Sequence, residues 1–254
     1  MNGYAAFLGK EWMEIRRTWR IWVIPGMLLF FGLTSPILAL VAPSLMSSLA
    51  GSQPGMTITL PPPTPFDAGT QFLKSLSQLV IFALILGGAG SISGERATGT
   101  VVLAVTKPVS RSAIVMAKLT ADILLLAGST LVATLLCGVM TTALFGTVAW
   151  RPLLCAVGLW LAFAILVTTT MSLFSVWFRT RGAAAGAGLA FFFVTLLAAV
   201  WPPAVQYSFI GLSSQAGTAL AGGAVAWWWS VGTALLGSCL VAIVSMRAFE
   251  RQEL

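Results

Sequence analysis

Apolar residues arrive in six runs along the chain, at about residues 21–43, 73–93, 117–146, 152–178, 183–201 and 225–246. At about 1.5 Å of rise per residue, each is long enough to cross a hydrocarbon layer of roughly 30 Å as a helix. The pattern predicts an all-α membrane protein. Residues 1–20 read as a cytoplasmic, interfacial amphipathic helix, and residues 21–254 as a single six-span transmembrane domain. The fifth run is the shortest and stops at Trp201-Pro202-Pro203. The piece after it, 202–217, is apolar but broken by Pro and Gly. It reads as a re-entrant or interfacial segment, since such backbone is tolerated in a membrane only where protein covers it or it lines a cavity. Residues 44–72 read as a long outer loop, with Pro61, Pro62 and Pro63 favouring extended backbone.

Ahead of the first run the period changes. Leu8, Trp12, Ile15 and Trp19 fall on one helical face, with Lys10, Glu14 and Arg17 opposite. A helix this charged does not span; it lies in the interface. Trp12, Ile15, Arg16, Arg17 and Trp19 are the residues expected to form this elbow. It either anchors the first span alone or also touches a cytoplasmic partner.

Charge gives the runs a direction. Only 8% of the residues are charged, against about a quarter in a soluble domain, and the net charge is +7. With the N-terminus in the cytoplasm, twelve Lys and Arg residues lie inside and only Lys74 and Arg151 outside. That bias predicts N-in, C-in topology in the inner, cytoplasmic membrane. It also assigns the basic residues to the flanks of lipid, with no stripe for nucleic acid. Trp19, Trp22 and Trp177 fall at inner ends of runs; Trp150, Trp201, Trp227, Trp228 and Trp229 fall at outer ends. Amphipathic rings favour those depths, and only Trp160 reads as mid-membrane.

Little catalytic chemistry is available. The chain has no histidine, which removes the commonest acid–base and metal-binding side chain. Cys137, Cys155 and Cys239 lie in apolar runs without CxxC spacing and read as small core hydrophobes. Asp122 lacks a second mid-span carboxylate for an aspartyl dyad. An intramembrane enzyme is therefore disfavoured, and no catalytic residue, metal site or cofactor site is expected in this chain.

One polar stretch stands apart. Between the second and third runs, Glu95, Arg96, Lys107 and Arg111 crowd into SGERATGTVVLAVTKPVSR. A carboxylate at mid-bilayer costs about 2.5–3.5 kcal/mol, so Glu95 belongs at the interface or in a pair. Gly99 breaks the helix, Thr100 caps a short new helix over 101–106, Pro108 ends it, and Ser110 caps the third span. That short helix carries Val101, Val102, Leu103 and Val105. An apolar knob with a charged rim is a docking site by default. The plainer reading packs it on the chain's own helices or in lipid.

The run ISGERATGTVVLAVTKPVSRSAIVMAKL resembles the signature of ABC transporter permeases of the type 2 exporter family. The matching positions are Glu95-Arg96, Gly99-Thr100, Pro108-Val109-Ser110-Arg111 and Lys118. The six-span plan, the elbow and the long outer loop resemble that family as well. The resemblance implies that 101–106 is a coupling helix seated in a groove of an ATP-hydrolysing subunit. Glu95 and Arg96 would tie its base to neighbouring helices, and Arg111 and Lys118 would hold the start of span three. The chain contains no GxxxxGK[ST] loop, so ATP and Mg would be bound by a partner subunit. Two ATPase subunits and a second permease chain, in a homodimer, would complete the complex. Sparse intramembrane charge suits export of an apolar or amphipathic substrate, although family members are also linked to sodium export and copper-enzyme maturation. The alternative is a mechanical transmitter that relays ATPase motion to an extracytoplasmic partner through 44–72.

Two further groups merit placement. Lys118 and Asp122 are spaced i, i+4 on span three and form either an interfacial ion pair or a transport site. Gly182 and Gly186 permit close helix contact, and with Phe192 they mark either packing within the chain or a dimer seam and substrate path.

Overall fold

The computed structural model describes residues 3–17, 20–50, 61–94 and 111–251. Among them the chain is helical, without strands. The helices are α1 (Gly3–Arg17), α2 (Arg20–Ala50), α3 (Pro65–Ser75), α4 (Ile81–Ala89), α5 (Arg111–Phe145) and α6 (Trp150–Trp177), followed by α7 (Arg181–Ala198), α8 (Pro202–Tyr207), α9 (Leu212–Leu220) and α10 (Trp227–Glu250). A π-helical stretch, Leu76–Val80, joins α3 to α4 into one continuous span. Six spans are long and apolar enough to cross a membrane. The predicted all-α, six-span fold is what the chain adopts.

The second span starts earlier than its hydropathy suggests. Thr64 precedes Pro65, which fills the first helical position at no hydrogen-bond cost. The Thr64 amide donates to Asp67 Oδ2 at 2.8 Å, closing the helix start. Thr70, Gln71 and Lys74 then lie within the helix, where their polarity dilutes the apolar signal. The first span also overruns its expected end, continuing past Pro43 to Ala50; membrane helices tolerate Pro where neighbours re-satisfy the backbone. Of the expected outer loop over 44–72, the described residues 44–50 and 65–72 are helix. Lys74, expected to flank the membrane, sits ten residues into its helix with its side chain exposed, long enough to snorkel to the interface.

The fourth span, α6, is the hub. Helices α4, α5, α7, α9 and α10 all pack against it, and it is the most buried span. Trp160 is fully enclosed there, with Ala156, Ala164 and Val167. Helix α2 lies on α5, and the fit is tight: a Cβ at Gly32 would meet the Ala133 carbonyl oxygen at 2.6 Å. Gly188 of α7 likewise sits against Met171 and Ile85.

The segment after span five is a broken helix. Helix α8, the short turn Phe209–Gly211 and α9 fold back against α6 and α10, burying Leu212, Ala216 and Ala219. At Gly211 a side chain would run into the Val205 carbonyl, so glycine is required. The segment read as re-entrant or interfacial is thus a broken helix with one side packed on protein. Of the cysteines only Cys137 is a core residue; Cys155 and Cys239 are exposed.

Candidate functional site

Both chain ends and both ends of the polar stretch converge on one end of the bundle. Ile92, Val115, Val176 and Phe249, from four separate parts of the chain, form one buried cluster. Beside it, Phe7 of α1 packs with Ile114 and Ala117 of α5. The described residues on either side of 95–110 meet at this floor, through Ile92 before them and Ile114 and Val115 after them. The expected coupling residues Glu95, Arg96, Gly99, Thr100, Val101, Val102, Leu103, Val105 and Pro108 lie outside the described residues, as does Trp19 of the elbow. What the structure supplies is their mounting.

The first mount is an ion pair. Lys118 is 3% exposed and Glu11 1% exposed, and Lys118 Nζ lies 3.4 Å from Glu11 Oε2. The other oxygen of Glu11 faces Lys10 Nζ at 3.2 Å, and Lys10 reaches Glu14 at 2.9 Å. The carboxylate thus bridges one lysine at the surface and one inside. A buried charge without its partner costs about 3–5 kcal/mol, so this pair fixes α1 to the base of span three. Lys118, expected to hold the start of that span, does so through another helix. Asp122, one turn further along, is partly buried.

The face that α1 packs inward includes Ile15 of the expected apolar stripe together with Phe7 and Glu11, while Trp12 is 37% exposed. Arg16 and Arg17 are exposed too, and the Arg16 guanidinium lies 5.6 Å from the Trp12 ring centre. Ile15 and part of Leu8 lie on this face, and Glu11 joins it because Lys118 pairs with its carboxylate.

The second mount is a hydroxyl. Ser175 of α6 is fully buried. Its Oγ accepts from the Ile92 amide at 2.8 Å and the Ser93 amide at 3.0 Å. It donates to the Ala89 carbonyl at 3.1 Å, and Ser93 Oγ donates to the same carbonyl at 2.7 Å. Helix ends leave backbone groups without partners; here one side chain from the hub satisfies the end of span two. The Arg181 side chain lies against Gly90 and Gly94, so that a side chain at Gly94 would have to displace its guanidinium. Glu11, Ser175 and Arg181 were not among the expected site residues.

The remaining candidates separate. Gly182 and Gly186 face away from their own chain; a Cβ on either would touch nothing within 4 Å. Packing within the chain is the work of Gly188 instead. Phe192 turns inward, 6% exposed, with its ring 5.5 Å from that of Phe82. It joins the core of one chain, while Phe193 and Val194 beside it are exposed.

Comparison with known proteins agrees with this architecture. Residues 5–217 match the family described as "ABC-2 family transporter protein". Over 256 aligned residues the chain is 24% identical to the uncharacterized transmembrane protein YxlG of Bacillus subtilis (strain 168), covering 100% of this chain and 99% of that protein. Permeases of this family are membrane subunits, distinct from the nucleotide-binding subunit, and they typically pair with an ABC ATPase. With its six spans and a match over most of its length, the chain belongs to the ABC-2 transporter family as a multi-pass membrane permease subunit.

Proposed function

We infer that the chain couples ATP hydrolysis in a separate cytoplasmic ATPase to export of an apolar or amphipathic substrate. The observation that carries this reading is the mounting of residues 95–110. Both roots of that segment are held in buried contact with four helices and with α1. A push on the segment is then passed to spans two, three, four and six together, with no slack to absorb it. The ATPase subunits, two copies binding ATP and Mg, close on nucleotide, and the segments move with them. A difference in nucleotide affinity between two states drives the switch.

In this reading the α1 end is cytoplasmic, both termini are inside, and the membrane is the inner one. Residues 1–20 lie in the interface, and residues 21–254 form one transmembrane domain. The outward faces of Gly182 and Gly186 support a seam with a second copy, in the commonest oligomeric symmetry. The docking residues are Val101, Val102, Leu103 and Val105, and Glu95 and Arg96 brace their base. Leu103→Asp places a carboxylate in an apolar groove. It is expected to abolish co-purification of the ATPase subunit while the permease stays in the membrane. Undiminished retention contradicts the docking assignment. ATP-dependent accumulation of a labelled amphiphile in inverted vesicles separates export from a purely mechanical relay.

A further inference from the structure

The end of the bundle opposite α1 holds an open cavity of about 690 Å³ between α6, α9 and α10. That volume falls in the roughly 300–1,000 Å³ range of ligand sites. One wall is a single stripe of α6: Arg151, Cys155, Gly158 and Ala162. From Arg151 to Ala162 the stripe descends roughly 16 Å at the helical rise, about half of a roughly 30 Å hydrocarbon core. It is one leaflet deep. The facing wall carries Val231 and Trp227 of α10.

Charge is unbalanced at the mouth. Arg151 is the only charged residue lining the cavity, and it has no ion-pair partner among the described residues. The first turns of α6 and α10 both open here, at Trp150 and Trp227, and neither has a side-chain cap. Each start carries the positive end of a helix dipole, and no side chain caps its first amides. The negative end of α9 is also here, but it is closed. Gly222, at φ +75°, turns the chain so that Gly222 N donates to Ala219 O and Gly223 N to Thr218 O, each at 3.0 Å. What remains is a guanidinium and two positive helix ends above an uncharged, leaflet-deep slot.

We propose that this cavity binds an anionic phospholipid from the leaflet distant from α1, with its phosphate on Arg151 and an acyl chain along Cys155, Gly158 and Ala162. The site selects against zwitterionic lipids because no carboxylate lines it to receive an ammonium group. Trp150 and Trp227, exposed beside the mouth, sit where amphipathic rings meet headgroups. The assignment is independent of the coupling reading above.

Cys155 reports occupancy directly. In the full-length chain carrying Cys239→Ala, Cys155 is the one exposed thiol, since Cys137 is buried. Its maleimide labelling is measured in nanodiscs of phosphatidylcholine, with and without phosphatidylglycerol. Phosphatidylglycerol is expected to slow labelling about tenfold, and Arg151→Gln to erase most of that protection, as loss of one charge-assisted hydrogen bond implies. Gly158→Leu fills space that is open around that residue and is expected to lower the number of phosphatidylglycerol molecules retained in native mass spectrometry. Equal labelling in both bilayers, or full protection persisting in Arg151→Gln, overturns the proposal. Protection by inorganic phosphate alone also overturns it, by showing an anion site with no place for the tail.

Discussion

The two ends of the bundle are built to opposite rules. At the α1 end, polar groups are buried and joined: Glu11 to Lys118, and Ser175 to three backbone groups from the end of span two. At the far end, Arg151 stands exposed and helix starts are uncapped around an open space. Buried polar pairs need good geometry and lose their favourable energy when it is disturbed, so they resist deformation. A void resists little. The difference teaches where this molecule can transmit a displacement and where it can accept a guest.

The sharpest way to break the comparison is to break the ion pair. Glu11→Gln is expected to destabilise the purified chain in detergent by about 3–5 kcal/mol, because it removes the carboxylate that faces the buried Lys118 ammonium. Adding Lys118→Met should recover most of that loss in the same unfolding assay. Equal loss in the single and double variants would mean that shape at this position matters more than charge. Next comes Ser175→Ala, which removes the acceptor of the Ile92 and Ser93 amides, while the Ala89 carbonyl keeps the Ser93 hydroxyl. It is expected to cost about 1–3 kcal/mol and to raise amide exchange at residues 92 and 93. The far end should respond least. Arg151→Gln and Gly158→Leu are each expected to shift stability by about 0.5 kcal/mol or less, since neither position supports a buried contact. A large loss there would erase the contrast.

The six spans were legible because water excludes apolar runs of that length whatever their neighbours do. Their ends were less so. The start of span two lies in a Thr64-Pro65-Phe66-Asp67 turn whose capping chemistry is local and readable, but Thr70, Gln71 and Lys74 hide it from any average over a window. The elbow was legible as an amphipathic helix, but not the part Glu11 plays in its packing. Helical spacing finds apolar stripes, and Glu11 breaks a stripe until Lys118, far along the chain, is brought to it. The i, i+4 spacing of Lys118 and Asp122 pointed along one helix, and it gave no sign that Lys118 also meets Glu11 of another helix. Ser175 carried no signal at all: a lone hydroxyl in an apolar span looks incidental until the backbone it serves is in place. The cavity was equally silent, being made of small residues whose meaning is the space they leave.

The account turns on residues 95–110 being the cytoplasmic seat of a nucleotide-driven partner. Leu103→Cys, in a chain whose exposed Cys155 and Cys239 are replaced by alanine, tests it in one labelling experiment on oriented vesicles. A membrane-impermeant maleimide should react from the cytoplasmic face alone, and the bound ATPase subunit should block it. Reaction from the opposite face, or labelling undiminished by the ATPase, contradicts the account.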